Sequence, residues 1–209
     1  MHVQLMLGVI QEIKRNLAMS TDRRRNKAMH EWSCGFVRLS IVLALVVASA
    51  RGEGGASPLK PRDVLPPLVG QTLTGRQLAL PSAAQGNVAV VIFSFTRAGG
   101  RDAKSWAQHL SKDDPSLLLY TAIFLESVPH IFRAIAVSEI RNGMPQARQD
   151  RTLLLYDHQS FWEQRLHVTD KSQACVLLVG RSGDIQWLQS GPFGGSLYFE
   201  LKKQIRALN

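Results

Sequence analysis

The chain has 209 residues, of which 45% are hydrophobic and 20% charged, and its formal net charge is +9. This composition is typical of a globular protein with a substantial core, and it excludes a disordered or low-complexity chain. Residues 1–50 hold seven Lys/Arg and three Asp/Glu, so the remainder has 18 basic and 13 acidic residues, a net charge of +5. This mild excess comes with no basic stripe and no nucleic-acid motif, so we expect no nucleic-acid partner.

The first fifty residues have the pattern of a targeting segment. A basic cluster, Arg23–Lys27, precedes an apolar stretch, Phe36–Ala50, which ends in the small-x-small pattern Ala48-Ser49-Ala50. These features are typical of a secretory signal peptide. An uncleaved membrane anchor and a buried core helix are the alternatives, although the apolar core is shorter than the ~20 residues that a spanning helix needs. We predict that residues 1–50 are a signal peptide or an N-terminal membrane anchor, and that the protein is exported, periplasmic or membrane-anchored.

The remaining chain divides into a linker and one domain. Residues 51–67 are rich in glycine and proline, which predicts a linker with little structure of its own, and residues 68–209 form the domain. Within the domain, apolar runs of strand length alternate with helical patterns. The predicted elements in chain order are a hairpin over Leu68–Leu78, a strand Val88–Phe95, a helix from Gly100 to Leu110, a strand Leu117–Leu125, a helix between Pro129 and Asn142, a strand Thr152–Tyr156, a helix Gln159–Leu166, a hairpin of Cys175–Val179 and Asp184–Leu188, and a final helix Ser196–Ala207.

This order of elements predicts the fold class. Strands that alternate with helices pair in parallel through right-handed crossovers, and the late hairpin adds antiparallel strands at one side of the sheet. The sequence therefore predicts an α/β sandwich with a central mixed sheet flanked by helices.

The element order resembles the thioredoxin-like fold of extracytoplasmic thiol–disulfide proteins and peroxiredoxins. In redox-active members, the strand before the first long helix leads to two cysteines separated by two residues, and a cis-proline faces them. Ala98 and Arg101 stand at the cysteine positions of this chain, and Ala174 stands at the proline position. Both departures indicate that the chain is not a redox catalyst of the thioredoxin type. The stretches that carry the resemblance are residues 70–80, 88–106 and 176–187.

Two stretches are similar to a cysteine-free branch of this fold. They are FSFTRAGGRDAKSW, residues 93–106, and GDIQWLQSGPF, residues 183–193. The branch is the ATP synthase assembly factor family called ATPase complex subunit ten, with its bacterial relatives. The resemblance implies a membrane-associated chaperone whose protein partner is a subunit of the ATP synthase membrane sector. It transfers no catalytic residue, because the family has no agreed set.

The glycine turn after the predicted strand Val88–Phe95 is the candidate binding site. Two guanidinium groups beside free backbone N–H groups at a helix start can hold a carboxylate, a phosphate or an acidic peptide. The alternative is that both arginines are solvated and that one of them pairs with Asp102. The candidate binding residues are Arg97, Ala98, Gly99, Gly100 and Arg101.

Other reactive side chains give little indication of chemistry. Cys34 lies in the targeting segment, and the neighbours of Cys175 form an apolar strand, which predicts a buried small hydrophobe rather than a reactive thiol. No histidine pair has the i, i+4 spacing of a zinc site, and no serine lies in a G-x-S-x-G elbow. We therefore expect no metal, no cofactor and no catalytic residue.

The sequence thus predicts a non-catalytic thioredoxin-like protein that acts as an extracytoplasmic or membrane-associated assembly factor or chaperone, with membrane contact through its N-terminal segment. One alternative is a thiol-dependent oxidoreductase or peroxiredoxin-like enzyme that uses Cys175 with a partner thiol. The other is a structural scaffold that retains the fold and uses a different surface.

Overall fold

The strand Ala89–Ser94 is an interior strand of a seven-stranded mixed sheet in the computed structural model, which describes residues 57–208. All six of its residues are buried, because both faces of the sheet are covered. The predicted targeting segment, residues 1–50, lies outside the described residues. The strands are β1 (Leu68–Thr72), β2 (Gln77–Leu80), β3 (Ala89–Ser94), β4 (Leu118–Phe124), β5 (Thr152–Leu155), β6 (Cys175–Val179) and β7 (Ile185–Ser190).

The sheet has the strand order β2-β1-β5-β4-β3-β6-β7. Strands β3, β4 and β5 pair in parallel, whereas β6 pairs antiparallel with β3 and with β7. The β1–β2 hairpin joins β5 antiparallel at the other side. The predicted α/β sandwich with a mixed central sheet is therefore confirmed. The helices are α1 (Arg97–Asp113), α2 (His130–Asn142), α3 (Gln146–Gln149), α4 (Gln159–Arg165) and α5 (Gly195–Leu208).

The side chains of β3 alternate between two hydrophobic clusters, one on each face of the sheet. Phe93 packs with Trp162 of α4 on one face, and Ile92 packs with Trp106 of α1 on the other. Leu201 of α5 joins the second cluster. Each fully buried aliphatic or aromatic side chain contributes roughly 1.5–3 kcal/mol, so these clusters fix α1 and α5 on the face opposite α4.

The segment before β1 differs from its prediction as a linker with little structure of its own. Leu59 and Leu65 are 4% and 1% exposed and belong to the cluster on the α4 face. The N–H of Leu59 donates to the carbonyl of Arg165, and the N–H of Leu65 donates to the carbonyl of Gly183. The linker prediction is wrong for residues 59–65, because two leucines among the prolines supply enough apolar area to hold the segment on the domain.

Candidate binding site

Helix α1 begins at Arg97, three residues earlier than the sequence pattern predicts. The side chain of Thr96 caps the helix, since its Oγ1 accepts a hydrogen bond from the N–H of Gly99 at 3.1 Å. Threonine is a preferred N-cap because its oxygen satisfies an N–H group that has no partner within the helix. The predicted site is therefore the first turn of the helix rather than a turn that precedes it. The residues that occupy it are Arg97, Ala98, Gly99, Gly100 and Arg101.

The two glycines of this turn have different surroundings. A Cβ atom on Gly99 would lie 2.8 Å from the carbonyl oxygen of Lys171 and 3.2 Å from that of Gln173, whereas a Cβ on Gly100 would meet no atom of residues 57–208 within 4 Å. The hydroxyl of Thr96 donates to the same Lys171 carbonyl at 2.7 Å. The loop before β6 is thus held directly against the start of α1, and only Gly99 is required by that contact.

Asp102 connects α1 to two distant segments. Its carboxylate accepts hydrogen bonds from the N–H of Ala174, before β6, at 2.8 Å and from the N–H of Phe193, after β7, at 2.7 Å. The pairing of Asp102 with an arginine of the turn, which the alternative interpretation included, is therefore not found among residues 57–208. Because both bonds are charge-assisted, Asp102 is a structural residue that positions the helix start against its neighbours.

The two arginines of the turn lie at the surface. The Nη2 of Arg97 is 3.1 Å from the Oε2 of Glu139 on α2, and both side chains are largely exposed. Arg101 is exposed and has no carboxylate within 4 Å among residues 57–208. An exposed pair such as Arg97–Glu139 contributes only about 0–1 kcal/mol, so both guanidinium groups are available to an anionic partner.

A groove of about 470 Å³ opens beside the turn, between α1 and α2. We call it the α1–α2 groove. Ser94, Thr121 and Ile123 form its floor on β3 and β4. Its walls and rim include Arg97, Gly100, Arg101, Lys104 and Ala107 of α1, Phe132, Ile135, Ala136, Glu139 and Ile140 of α2, and Arg148 of α3.

The structure thus places three of the five predicted site residues at one opening and two elsewhere. Arg97, Gly100 and Arg101 line the α1–α2 groove, but Ala98 and Gly99 do not. The sequence predicts the helix between Pro129 and Asn142 but not that this helix forms one wall of the site. The prediction also missed Thr96, for which a threonine ahead of a helix start is an available signal.

The domain's cysteine lies on the far side of the sheet from the turn. Cys175 is 1% exposed and packs in the cluster that contains Trp162, whereas α1 packs in the other cluster. Burial raises the pKa of its thiol to about 12, because the thiolate would lose its hydration. At neutral pH the side chain is a protonated hydrophobe, as the sequence predicts.

Among residues 57–208, no group of three His, Cys, Asp or Glu side chains comes together in a way that could hold a metal ion. In the same part of the chain, no helix combines the length and apolar character needed to cross a membrane.

The model of the family described as ATP10 protein matches residues 63–208. The chain belongs to the ATP10 family. The match starts within the segment that precedes β1 and ends at the last residue of α5, so it covers the whole sheet and the candidate site. A search of curated proteins found no match.

Solved structures show which fold this ATP10 family member has. A protein described as thiol:disulfide interchange protein DsbE from Chlorobium tepidum aligns with a TM-score of 0.53 at 15% identity, over 72% of this chain and 98% of its own. BsSco, a member of the Sco family of cytochrome c oxidase assembly proteins, aligns with a TM-score of 0.51 at 15% identity, over 73% of this chain and 96% of its own. At these identities the likeness shows the fold alone, and the fold is thioredoxin-like.

Proposed function

We propose that this ATP10 family member is a non-catalytic assembly factor for the ATP synthase, which binds a protein subunit of the membrane complex. Membership of the ATP10 family over residues 63–208 is the observation that carries an assembly role. BsSco, a thioredoxin-like relative in fold, belongs to a family of cytochrome c oxidase assembly proteins, which is compatible with such a role on this fold.

The absence of redox catalysis is part of this proposal. A thioredoxin-type enzyme needs an attacking thiolate at the start of the long helix. Ala98 and Arg101 occupy the two positions where the resemblance places cysteines. Cys175 gives no substitute, because its thiol is buried on the other face and its pKa is raised to about 12. These observations favour binding over the thiol-dependent alternative.

The proposed binding face is the start of α1 with its exposed surroundings. Arg97 and Arg101 supply two accessible guanidinium groups, which suit carboxylates on a protein partner. Phe132 and Ile135 of α2, which line the same groove, are 53% and 58% exposed, and Ile131 of that helix is 76% exposed. A basic edge next to exposed apolar side chains suits a protein interface, where apolar contacts give affinity and charges orient the partner.

We further propose that the domain works outside the cytoplasm or at a membrane, delivered or held there by residues 1–50. The sequence pattern of that segment supports this address. Cell fractionation combined with N-terminal sequencing of the mature protein tests it. Recovery of the full-length chain in the cytoplasmic fraction would contradict the proposal.

Cross-linking followed by affinity capture from membranes tests the proposed function. The wild type is compared with Arg97→Ala/Arg101→Ala and with a matched control, Arg181→Ala/Arg206→Ala, which removes two exposed arginines outside the turn. We expect the wild type and the control to capture an ATP synthase subunit, and the Arg97/Arg101 variant to lose most of it. If deleting the protein leaves ATP synthase assembly unchanged, the proposed function is wrong.

A further inference from the structure

The α1–α2 groove has the size and lining of a small-molecule site. Ligand pockets in proteins commonly have volumes of about 300–1,000 Å³, with mostly apolar walls and a few polar groups. This groove has about 470 Å³. Ala103 and Ala107 of α1 are short side chains facing it, and Phe132, Ala136 and Ile140 of α2 form the opposite wall. The two helices therefore leave the apolar part of this groove open above β4, and we call that part the slot.

Helix α2 is incompletely packed on the domain. None of its residues is buried, although Val137 and Ile140 pack partly against the small cluster of Leu125 and Leu154. A helix on a sheet ordinarily buries one apolar stripe, and here that stripe is shared between the sheet and the open slot. An apolar occupant would complete the packing.

The slot is bordered by more basic side chains than acidic ones. Arg97, Arg101 and Lys104 follow one another at helical spacing along the edge of α1, and Arg148 lines the slot from α3. Glu139 is the acidic residue in the lining, and it pairs with Arg97 across the two helices. Within residues 57–208, no carboxylate lies within 4 Å of the other three cations. Their charge is complementary to an anionic group.

Two polar groups in the lining also lack a hydrogen-bonding or charged partner among residues 57–208. The Oγ of Ser94 is buried and has no hydrogen-bond partner among the described residues, although such groups are ordinarily satisfied. The Arg148 side chain is half-buried, and burial lowers the pKa of its guanidinium, since no neighbouring carboxylate compensates the lost hydration. An amphiphilic ligand would contact the apolar walls of the slot with its chain and pair with the cations through its head group.

We propose that the α1–α2 groove binds a single-chain amphiphile with a carboxylate head group, a free fatty acid. The carboxylate pairs with Arg101 and Lys104, and the chain lies over Ile123 between α1 and α2. This site goes beyond the assembly role and does not depend on it.

The dimensions favour one acyl chain. The groove's volume of about 470 Å³ lies toward the lower end of the range for pockets that hold one small ligand. A phospholipid with two acyl chains is larger than the ligands that pockets of this volume ordinarily hold, so a single chain is the occupant that fits.

Isothermal titration of the purified full-length chain with sodium laurate, below its micelle concentration, tests the proposal. We expect one laurate per chain, bound about tenfold or more tightly than dodecyltrimethylammonium, because only the anionic head group gains charge-assisted contacts. Vesicles of phosphatidylglycerol form a parallel arm that tests for a membrane surface instead.

Paired variants locate the site. Ala136→Phe fills the slot from α2 and should weaken laurate binding at least about tenfold, whereas Ala134→Phe adds the same ring on the exposed side of that helix and should not. Lys104→Gln should weaken binding about fivefold, and Lys112→Gln, on the same helix outside the slot, should leave it unchanged. Circular dichroism checks that each variant is folded.

Three results would overturn the proposal. They are absence of laurate binding by the folded wild type, equal binding of the anionic and cationic amphiphiles, and equal weakening by Ala136→Phe and Ala134→Phe. Binding of anionic vesicles without binding of laurate would also overturn it, in favour of a membrane surface. None of these results bears on the capture of a protein subunit, so the two proposals fail independently.

Discussion

Replacing Gly99 and Gly100 separately with alanine measures the contact between the start of α1 and the loop before β6. Alanine stabilises a helix over glycine by roughly 0.5–1 kcal/mol, and both glycines have helical neighbours. At Gly100 no described residue opposes that gain, because a Cβ there meets no atom of residues 57–208 within 4 Å. At Gly99 the Cβ would lie 2.8 Å from the carbonyl oxygen of Lys171, so the loop must shift. Such overpacking costs about 1–3 kcal/mol.

The expected net effects therefore have opposite signs. Gly100→Ala should stabilise the protein by about 0.5–1 kcal/mol, and Gly99→Ala should destabilise it by about 0.5–2 kcal/mol. For a chain of this size, each kcal/mol corresponds to about 2–4 °C in Tm. Urea unfolding and thermal melts of the full-length variants measure both. If the two variants shift Tm in the same direction, the close approach of Lys171 does not constrain this turn and the reasoning is refuted.

Three further changes test the site and its supports. Asp102→Asn should lower the free energy of unfolding by about 2 kcal/mol in urea, because one of its two charge-assisted backbone bonds is lost, whereas the exposed Asp157→Asn should change it by less than about 0.5 kcal/mol. In a Cys34→Ser background, Cys175 should react with iodoacetamide at pH 8 only after denaturation, since burial raises the pKa of its thiol to about 12. The hydrogen bond from Lys202 lowers the pKa of Asp113, so the stability from this pair is present above pH 4 and is lost as the carboxylate is protonated below it. The stability difference between wild type and Asp113→Asn should accordingly shrink below pH 4 in urea unfolding.

Each of these expectations has a contradicting result. Equal effects of the Asp102 and Asp157 substitutions would show that the Asp102 bonds are not structural. Rapid alkylation of Cys175 in the native state would show that its thiol is accessible and would revive the thiol-dependent alternative. A stability difference for Asp113→Asn that persists unchanged to pH 2 would show that its ionised form is not what the fold uses.

The sheet could be predicted from the sequence because its signals are local. The apolar run of β3 is contained in a few consecutive residues, and so is the turn at Gly183. Each of these short stretches predicts an element that the structure contains. The sequence predicts the start of α1 three residues too late, because two adjacent glycines are typical of a turn. The side-chain oxygen of Thr96 overrides that tendency by capping the helix ahead of them.

The surroundings of the candidate site could not be predicted, because they depend on distant pairings. Asp102 bonds to backbone groups 72 and 91 residues away, and nothing in its own neighbourhood points to them. The apolar residues of α2 have helical spacing, which predicts a stripe but not how much of it the sheet covers. The α1–α2 groove is a gap left by that packing, and a gap has no sequence motif.

The segment before β1 has a mechanical consequence for a domain that follows an N-terminal extension. Its backbone is hydrogen-bonded to α4 through Leu59, to β7 through Arg62 and Asp63, and to Gly183 in the turn before β7 through Leu65. A pulling force applied through the preceding residues would load these bonds before it reached β1. The load would be shared between a helix and the strand at the opposite edge of the sheet from the β1–β2 hairpin. In a domain pulled from its N-terminal side, these hydrogen bonds would have to break before the force could separate the β1–β2 hairpin from the sheet.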